Sequence, residues 1–560
     1  MKAFIKIFPL YLAWFLVFSA CDVTVLNDNP YKPGPGVDYN FDDASLAGVF
    51  RGTIPVMDGD DEQRVKSLLI DFYAQMLDGG SFDTKNYLSN EDWNQRMYRR
   101  VQRAVSGINL VIRNLSAKGD EYAKSMAVAK IWRVYVQYNG VDYFGPIPFA
   151  SYTEIEDNPP YKSVKDNYLE FFKELEEAIE LLDNEDSKDI FMSEVSDIVY
   201  HNDETKWQRF AASLWLRLAM RLSEVDETLC KQEIAKALAA GVMESAEDDA
   251  RVPPRADGGW GADYNYTMFQ ITWGGPLVMT SSFEKLVENI GGIEWVAEPL
   301  NPRASKNVNA DYSHPVNVDP RATVMFDPPY SKPESGDYGN AWKGLPIGLS
   351  PAERTKDEYD RNYYPELGIL YNGKNPYKDR PYDVFLYEEV CFLKAEAFAR
   401  GFASGDAKGA YEEGVRASFD TWGVGASAAD YLASSAKNLV GTSAKFADTE
   451  GEGNTVLEKI ITQKYLALFP DMAMEAWNDK RRLNLPRMDV PEFRNELLYD
   501  NTDKDFLKPQ NFIKRIQYPQ QEVQINKEEY DKGVALLGGP DNVQTPIWWD
   551  KNKNHCTSNR

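Results

Sequence analysis

Cysteine and histidine are scarce in this chain, and their scarcity excludes several kinds of site. The 560 residues include 4 cysteines and 3 histidines. Cys230, Cys391 and Cys556 follow Cys21, and they lie far apart in the sequence. Thiols so placed form neither a disulfide framework nor a CxxC metal site. Because Cys230 and Cys391 fall within helical patterns, we expect both to be small core residues.

The motifs of several common enzyme classes are also missing. The sequence contains no HExxH zinc motif, no GxSxG nucleophile elbow and no glycine-rich nucleotide loop of the GxxxxGK[ST] or GxGxxG type. His201, His314 and His555 are too dispersed to indicate a catalytic triad or a zinc site. Carboxylate pairs of the kind glycosidases use must occur by chance among 87 acids and carry no information. We therefore predict no catalytic residue, no metal and no cofactor.

One acidic segment, Asp58 to Glu62, resembles a fragment of a calcium loop. It lacks the 12-residue spacing of an EF-hand. The alternative, which we favour, is that its side chains cap a helix that begins near Glu62.

Positive charge is in deficit as well. Lys and Arg number 62 against 87 Asp and Glu, which gives a formal net charge of −25 at pH 7. No cluster of Lys or Arg offsets this excess, and such an acidic surface repels phosphate backbones. We therefore expect no nucleic-acid partner.

Long apolar runs are absent, apart from one short stretch near the beginning. Residues 7–18 form an apolar run of 12 residues after two lysines, which is typical of a signal peptide and too short for a bilayer span of about 20 residues. Small residues then precede Cys21, an arrangement that resembles the lipobox of bacterial lipoproteins, although Phe18 stands where Leu is usual. We predict a signal peptide over residues 1–20 and lipidation of Cys21. The alternative is an ordinary secretory signal with a chance cysteine.

Helical periodicity dominates two blocks of the remaining chain. In the first block, Val164, Tyr168, Phe171 and Leu175 recur at intervals of three and four, and Ser163 is placed as an N-cap. The pattern predicts helices there at about 92–114, 121–139, 163–184, 207–222 and 226–240. In the second block it predicts helices at about 384–401, 406–421, 428–438 and 455–482.

The spacing of these helices predicts the fold. Short Gly, Asn and Asp breaks separate successive helices, so neighbours should pack antiparallel as hairpins. The predicted fold is mostly α, a tetratricopeptide-like helical hairpin scaffold with a large irregular loop-rich subdomain and few short strands. We expect one domain over 21–560 with four parts: 21–61 as extended tether and start of the scaffold, 62–250 as N-terminal hairpins, 251–384 as the loop-rich subdomain, and 385–560 as C-terminal hairpins and tail.

The segment 251–384 is the predicted ligand-binding part. It contains 15 of the 31 prolines and 18 aromatic residues. Proline disfavours helix and the aromatic residues disfavour disorder, while irregular segments of such length usually carry function. We expect an ordered subdomain with some short strands, and further strands near 512–526.

Motifs along the whole chain resemble one known family. They are the lipobox at Cys21, Asn27–Pro30, Trp207–Arg221, Tyr387–Ala397, Glu475–Arg482, Arg515–Pro519 with Glu522 and Asn526, and the closing Thr545–Asp550. Their order is similar to that of the SusD/RagB family, the nutrient-binding outer-membrane lipoproteins of Bacteroidetes. The resemblance implies a lipid anchor in the outer membrane, a position facing the cell exterior, and a SusC-like TonB-dependent barrel transporter as partner.

We interpret the side chains of these motifs as structural. Arg209, Arg217 and Arg221 are expected to pair with acidic residues of the next helix. Glu475 and Arg481, with the tryptophan between them, are expected to lock one helix end.

Two aromatic clusters in 251–384 are candidate ligand-binding sites. A sugar ring has an apolar face of C–H bonds on which Trp and Tyr can stack, and a rim of hydroxyls that polar groups can bind. For each cluster the alternative is that its rings form the small core of the subdomain. The candidate residues are Trp260, Tyr264, Tyr266 and Trp273 in the first cluster, and Tyr338 and Trp342 in the second.

Three functional hypotheses remain. The favoured one is a cell-surface lipoprotein that captures an oligosaccharide or polysaccharide and delivers it to the SusC-like transporter. An alternative is a peptide-binding or mainly structural lid subunit of that transporter. The third is a lipid-anchored hydrolase.

Overall fold

The fold is a stack of helices with short strands between them. The computed structural model describes residues 41–53, 62–79, 83–148, 151–153, 159–188, 190, 196–253, 277–295, 315–327, 329, 342–368, 381–491, 493–494 and 511–551. The helices of eight or more residues in this part of the chain are α1 (Phe41–Thr53), α2 (Glu62–Ile70, a π-helix), α3 (Glu91–Lys118), α4 (Ala123–Phe144), α5 (Val164–Leu182), α6 (Glu204–Arg221), α7 (Glu227–Ala240), α8 (Tyr387–Ala399), α9 (Ala407–Thr421), α10 (Val456–Ala467), α11 (Ala473–Leu483) and α12 (Lys527–Leu537).

Helices that follow each other in sequence pack as pairs. The contacting pairs are α3 with α4, α4 with α5, α6 with α7, and α8 with α9. Because the links 119–122, 222–226 and 400–406 are short, α3 with α4, α6 with α7, and α8 with α9 run antiparallel. The predicted mostly helical, tetratricopeptide-like scaffold is therefore confirmed. Its local signals are confirmed too, since the Ser163 hydroxyl accepts the Asp166 N–H at 3.1 Å to cap α5, and Cys230 and Cys391 are buried.

Two predicted helices are shorter than the periodicity suggested. The helix expected over 455–482 is two helices, α10 and α11, separated by residues 468–472. Pro470 lies in this break and has no N–H to donate to a helix. The helix expected over 428–438 ends at Ala433. Beyond it the Asn438 side chain accepts the N–H groups of Val440 and Thr442, which gives the backbone an alternative to helical bonding.

Short strands connect segments that are distant in sequence. They are β1 (Leu77–Asp78), β2 (Ile147–Pro148), β3 (Tyr161–Lys162), β4 (Ala250–Val252), β5 (Val278–Met279), β6 (Phe326–Asp327), β7 (Glu366–Leu367) and β8 (Tyr382–Phe385). One sheet has the order β1-β5-β7-β6 with antiparallel neighbours, and β4 pairs antiparallel with β8. The short strands expected in 251–384 are confirmed in the described parts of that segment. Its limits as a separate subdomain stay a prediction.

Buried ion pairs join the helices across the centre of the scaffold. Arg217 on α6 donates two hydrogen bonds to Glu389 on α8, at 2.9 and 2.6 Å. Arg221, one turn later, donates to Glu475 on α11 at 2.6 Å and to Asp142 on α4 at 3.3 Å. All five side chains are almost inaccessible to solvent. These contacts fix α4, α8 and α11 around α6.

The arginine partners correct the sequence prediction. The acids that bind Arg217 and Arg221 lie on helices far along the chain and not on the next helix, α7. Arg209 binds Asp248 at 3.0 Å, in the turn that follows α7. Sequence spacing shows which side chains share a helix face, but it does not show which distant element packs against that face.

A second set of buried charges lies at the other end of the same helices. Arg482 on α11 binds Glu396 on α8 at 2.7 Å and Asp479 at 2.8 Å. Lys464 on α10 lies 2.9 Å from Asp479. Burial raises the pKa of Glu396 and of Asp479, but the neighbouring cations outweigh burial and hold both pKa values below their usual range. These carboxylates are therefore charged and hold three helices together.

The last turn of α11 is fixed to the extended segment 511–519. Arg481 donates to the carbonyl oxygens of Asp142 and Lys514, at 2.7 and 2.9 Å, and its guanidinium lies 3.7 Å from the centre of the Trp477 ring. Trp477 donates to the carbonyl of Ile513 at 3.3 Å. The predicted locking of this helix end is confirmed. The strands expected near 512–526 are wrong, because side chains bind the extended backbone and residues 520–525 form a helical turn.

A carboxyl group joins the helical turn Ser281–Val287 to the segment that begins at Gly344. Glu284 accepts the Gly344 N–H at 2.8 Å. Burial raises the pKa of Glu284 to about 7, against the opposing effects of this bond and of nearby lysines. The two segments touch so closely that a Cβ on residue 344 would lie 2.2 Å from the Thr280 carbonyl oxygen. Only glycine fits at this position.

The buried pair between Arg482 and Glu396 gives a first prediction. Glu396→Gln should destabilise the protein by about 3 kcal/mol, since it leaves buried cations without their carboxylate. Denaturant unfolding measures this. The control is Glu412→Gln, which breaks a 3.0 Å pair with Arg416 on the exposed face of α9 and should cost less than about 0.5 kcal/mol. Equal small losses in both variants would show that the buried network contributes little.

The raised pKa of Glu284 gives a second prediction. The folded protein holds a proton on Glu284 between pH 4.5 and 7, where the unfolded chain has lost it. Stability from this group is therefore fully present below the unfolded pKa and is lost as pH rises towards 7, by up to about 3 kcal/mol. Glu284→Gln stays neutral and should remove that loss. Relative to the wild type, the variant should gain free energy of unfolding between pH 5 and pH 8; a difference that does not change with pH would contradict the assignment.

Candidate functional site

Most residues predicted from the sequence to bind ligand lie outside the described residues. This holds for the first cluster, with Trp260, Tyr264, Tyr266 and Trp273, and for Tyr338 of the second. It holds also for Cys21 and for the acidic residues before Glu62, although α2 does begin at Glu62 as expected. These site assignments stay predictions.

Trp342 is the candidate whose surroundings the structure describes. It is 1% exposed. Its ring centre lies 4.5 Å from that of Trp295 in an edge-to-face arrangement and 6.4 Å from that of Phe326. Trp342 could have been a surface for ligand binding or a core residue, and the structure places it in the core. A sugar could not stack on Trp342 without opening this packing.

A cavity in the irregular segment is the strongest candidate site among the described residues. It encloses about 290 Å³, at the lower end of the range of about 300–1,000 Å³ for small-ligand sites. A cavity of this size can hold a short part of a larger ligand. We call it the Tyr359 pocket, and it is lined by Lys85, Leu345, Leu349, Arg354, Thr355, Lys356, Asp357, Tyr359, Asp360 and Arg361.

Three successive 3₁₀ turns, at 353–355, 357–359 and 361–363, form one wall of the Tyr359 pocket. The first is fixed by reciprocal bonds, since Glu353 accepts the Ser350 N–H at 2.8 Å and Ser350 accepts the Glu353 N–H at 3.2 Å. The third turn is capped by Asp360, whose carboxylate accepts the Asn362 N–H at 2.9 Å. These local bonds hold the turns in place, although the segment is not a regular helix.

An apolar cluster packs against this wall of the pocket. Val278, Leu345, Leu349 and Tyr364 are buried together, and Tyr359 packs against them half-buried. The Tyr364 hydroxyl donates to the carbonyl of Glu358 at 2.9 Å. The Tyr359 ring is thus partly covered by its neighbours at the pocket, and the rest of its surface stays accessible.

Cationic side chains surround the tyrosine. Lys85 binds Asp78 on β1 at 2.7 Å, with both side chains buried, and Arg354 forms an ion pair with Asp83. Burial lowers the pKa of Lys85, Asp78 opposes this, and the positive charges of Arg354 and Arg361 lower it further. Burial also lowers the pKa of Arg361. Asp78 and Asp360 oppose this effect on Arg361, so each of these cations has a carboxylate near it.

Two other cavities are weaker candidates. A groove of about 260 Å³ beside α4 and α5 is lined by Arg133, Tyr152 and Glu174 among others, but its charges are paired within it, Arg133 with Glu174 in particular. An internal cavity next to Arg217 and Glu475 encloses about 90 Å³, room for roughly three water molecules at about 30 Å³ each. In the groove, Lys130 and Arg133 lie over the Tyr152 ring, at 5.0 and 5.3 Å from its centre, and the internal cavity is well below the size of a small-ligand site.

Sequence reasoning missed the Tyr359 pocket. A signal was present in residues 357–364, where three tyrosines alternate with acidic, basic and amide residues. The binding site is predicted instead at two other clusters, each of which contains tryptophan. The contribution of Lys85 had no signal, because it arrives from a segment more than 250 residues earlier.

Clusters of metal ligands and membrane-spanning helices are both absent from the described residues. Within the described ranges, no group of three or more His, Cys, Asp or Glu side chains is placed to hold a metal ion. The helices in those ranges include none with the length and apolar character needed to cross a bilayer.

Comparison with known proteins gives concordant results. A SusD-like family model, described as starch-binding and associating with the outer membrane, matches residues 53–519. The crystal structure of a SusD homologue from Parabacteroides distasonis is 51% identical in sequence, with a TM-score of 0.87 over 93% of this chain and 100% of that one. None of the curated proteins compared with the chain matches it.

More distant structures share the fold. A SusD homologue from Bacteroides vulgatus is 24% identical, with a TM-score of 0.69 over 88% of this chain and 93% of that one. A SusD homologue from Flavobacterium johnsoniae, described as chitin-binding, is 23% identical, with a TM-score of 0.71 over 91% and 99%. With the family model covering most of its length and a solved relative sharing half of its residues, this chain belongs to the SusD-like family.

Proposed function

We propose that this protein binds a glycan at the cell surface and delivers it to a SusC-like TonB-dependent transporter in the outer membrane. It does so by binding alone, without catalysis. The observation that carries the proposal is the Tyr359 pocket, where a half-buried aromatic ring is combined with hydrogen-bonding side chains on a helical scaffold of the SusD-like family.

The chemistry of the Tyr359 pocket supports a sugar as ligand. The tyrosine ring offers a flat surface for the C–H face of a pyranose. Asp357 and Asp360 can accept hydrogen bonds from hydroxyls, and Arg354 and Arg361 can donate to ring and hydroxyl oxygens. The pocket is too small for a long oligosaccharide, which suits capture of part of a polymer.

The descriptions of the relatives support the same ligand class. The matching family is described as starch-binding and one structural relative as chitin-binding. These names describe other proteins and different sugars. They favour a glycan for this chain and leave its identity to experiment.

The position in the cell follows from the N-terminal sequence. Lipidation of Cys21 would hold the protein at the outer membrane, facing the exterior, where a SusC-like barrel could receive its glycan. Firm anchoring needs two or more acyl chains, because one chain binds only marginally.

Cys21→Ala tests the anchor. In cells given a labelled fatty acid, the wild type should become labelled and should fractionate with the outer membrane after a high-salt wash. The variant should do neither, since the thiol that carries the lipid is gone. Cys556→Ala is the matched control and should behave as the wild type. Label in the Cys21→Ala protein would contradict the lipobox assignment.

Tyr359→Ala tests the binding surface. Loss of one stacking ring should weaken glycan binding by about tenfold. Tyr359→Phe keeps the ring and should bind nearly as the wild type. Calorimetric titration with a panel of oligosaccharides measures affinity, melting temperature monitors the fold, and incubation with the same panel should release no new reducing ends.

Alanine variants of Trp260, Tyr264, Tyr266 and Trp273 belong in the same titration, because at least one of these rings is predicted to be a surface platform. A ring that binds glycan should change affinity and leave the melting temperature alone, whereas a core ring does the reverse. If Tyr359→Ala and all four variants bind unchanged, the ligand site lies elsewhere.

A further inference from the structure

The two ends of the irregular segment meet at one buried pair of strands. Residues 253–381 leave from β4 and return to β8, and these strands pair antiparallel with Arg251 opposite Asp383. One residue after β8 ends, α8 begins. Most of the lining of the Tyr359 pocket belongs to the chain between these two ends. We call residues 249–252 and 382–388 the segment base, because they connect the irregular segment to the helical scaffold.

A single cation is shared by two carboxylates at the segment base. Arg251 donates a hydrogen bond to Asp383 at 2.9 Å, and its guanidinium lies 3.1 Å from the carboxylate of Asp249. Asp249 also accepts the N–H of Tyr387, the first residue of α8, at 2.7 Å. The two carboxylates are buried. Arg251 thus joins both ends of the segment, and its one positive charge is already opposed by two negative charges.

Glu388 adds a third carboxyl group to the segment base. It lies on the first turn of α8 and is 1% exposed. Its Oε2 accepts the hydroxyl of Thr421 at 2.9 Å, whereas its Oε1 is buried and has no hydrogen-bond partner among the described residues. A buried carboxylate without a cation of its own is costly, and the neutral acid is much less so. These surroundings therefore favour a proton on Glu388.

The charges around Glu388 act in the same direction. Burial raises the pKa of Glu388 to about 8, Asp249 and Asp383 add to the rise, and Thr421 and Arg251 oppose it. The other charged groups near this turn do not supply a cation, since Asp248 is paired with Arg209, Glu389 is paired with Arg217 and lies 3.7 Å from Lys464, Asp471 accepts the Asp383 N–H, and Glu413 of α9 is exposed.

We propose that Glu388 is a proton-dependent switch that controls how firmly the irregular segment is held to the scaffold. While Glu388 carries its proton, β4 and β8 stay paired beside it. When it ionises, three carboxylates surround the single charge of Arg251, and the segment base opens so that Glu388 reaches water. The chain that lines the Tyr359 pocket is then fixed less firmly.

Proton linkage gives the direction of the effect. In the closed segment base Glu388 keeps its proton up to about pH 8, whereas in the open one it loses the proton above its ordinary pKa of 4.5. Opening therefore releases one proton between these pH values. The stabilising contribution is fully present below pH 4.5 and is lost as the pH rises towards 8, so the equilibrium constant for opening should rise by about tenfold per pH unit in this range.

Hydrogen exchange of the full chain, read by mass spectrometry on peptides from the segment base, tests the proposal. Corrected for intrinsic exchange rates, the protection of these amides should fall by about tenfold per pH unit between about pH 5 and pH 7.5 in the wild type. Glu388→Gln stays neutral and should show protection that changes little with pH. Glu412→Gln removes an exposed carboxylate on α9 and should keep the slope of the wild type. Equal slopes in the wild type and in Glu388→Gln would overturn the proposal.

Thr421→Val is a second variant, and it decides alone if Glu388→Gln does not fold. The Thr421 hydroxyl lowers the pKa of Glu388, so its loss should extend the fall in protection to higher pH. A profile identical to that of the wild type would contradict the switch. Amides of α5 are the internal reference. If their protection falls with the same slope, only global unfolding exposes Glu388, and the proposal of a local switch is overturned.

Discussion

The buried ion pairs between α6, α8 and α11 are the constraint on which the rest of the structure depends. Moving a charged side chain out of water costs several kcal/mol for each ion, and the cost is offset only when its partner arrives with good geometry. Arg217 binds Glu389, Arg221 binds Glu475, and Arg482 binds Glu396. Each pair joins an early helix or α8 to an element far along the chain. Two of the three pairs join α6 of the first helical block to α8 and α11 of the second, so separating the blocks would leave these charges without their partners.

The irregular part of the chain is fixed to this scaffold by strands and aromatic rings. The pairing of β4 with β8 leads directly into α8, and β5 pairs with β1 from the N-terminal block. Phe283, Phe326 and Phe469 pack with ring centres 5.1 Å apart in all three of their contacts, next to the start of α11. The wall of the Tyr359 pocket packs on a separate small cluster that includes Val278 of β5, and β5 connects this cluster to the core of the helices.

The features that the sequence predicted correctly are those determined by residues close together in the chain. Apolar spacing predicted the helices and Ser163 the cap of α5, because both depend on residues a few positions apart. Partners of buried arginines were predicted wrongly, since any of 87 acids could serve. The Tyr359 pocket was missed for the same reason, as Lys85 and Arg361 meet only after folding. Composition also fails to predict the position of Trp342. A tryptophan in a loop-rich segment is a candidate for ligand binding, but this one packs in the core.

A scaffold held by buried charges thus presents a small pocket with an aromatic ring on a protein of the SusD-like family. The central claim is that this pocket receives a sugar. A crystal structure of the protein with an oligosaccharide that it binds in calorimetric titration tests this claim most directly. The account predicts a sugar ring against Tyr359, with sugar hydroxyls within hydrogen-bond distance of Arg354, Asp357 or Arg361. A ligand bound elsewhere, with the Tyr359 pocket empty, would contradict it.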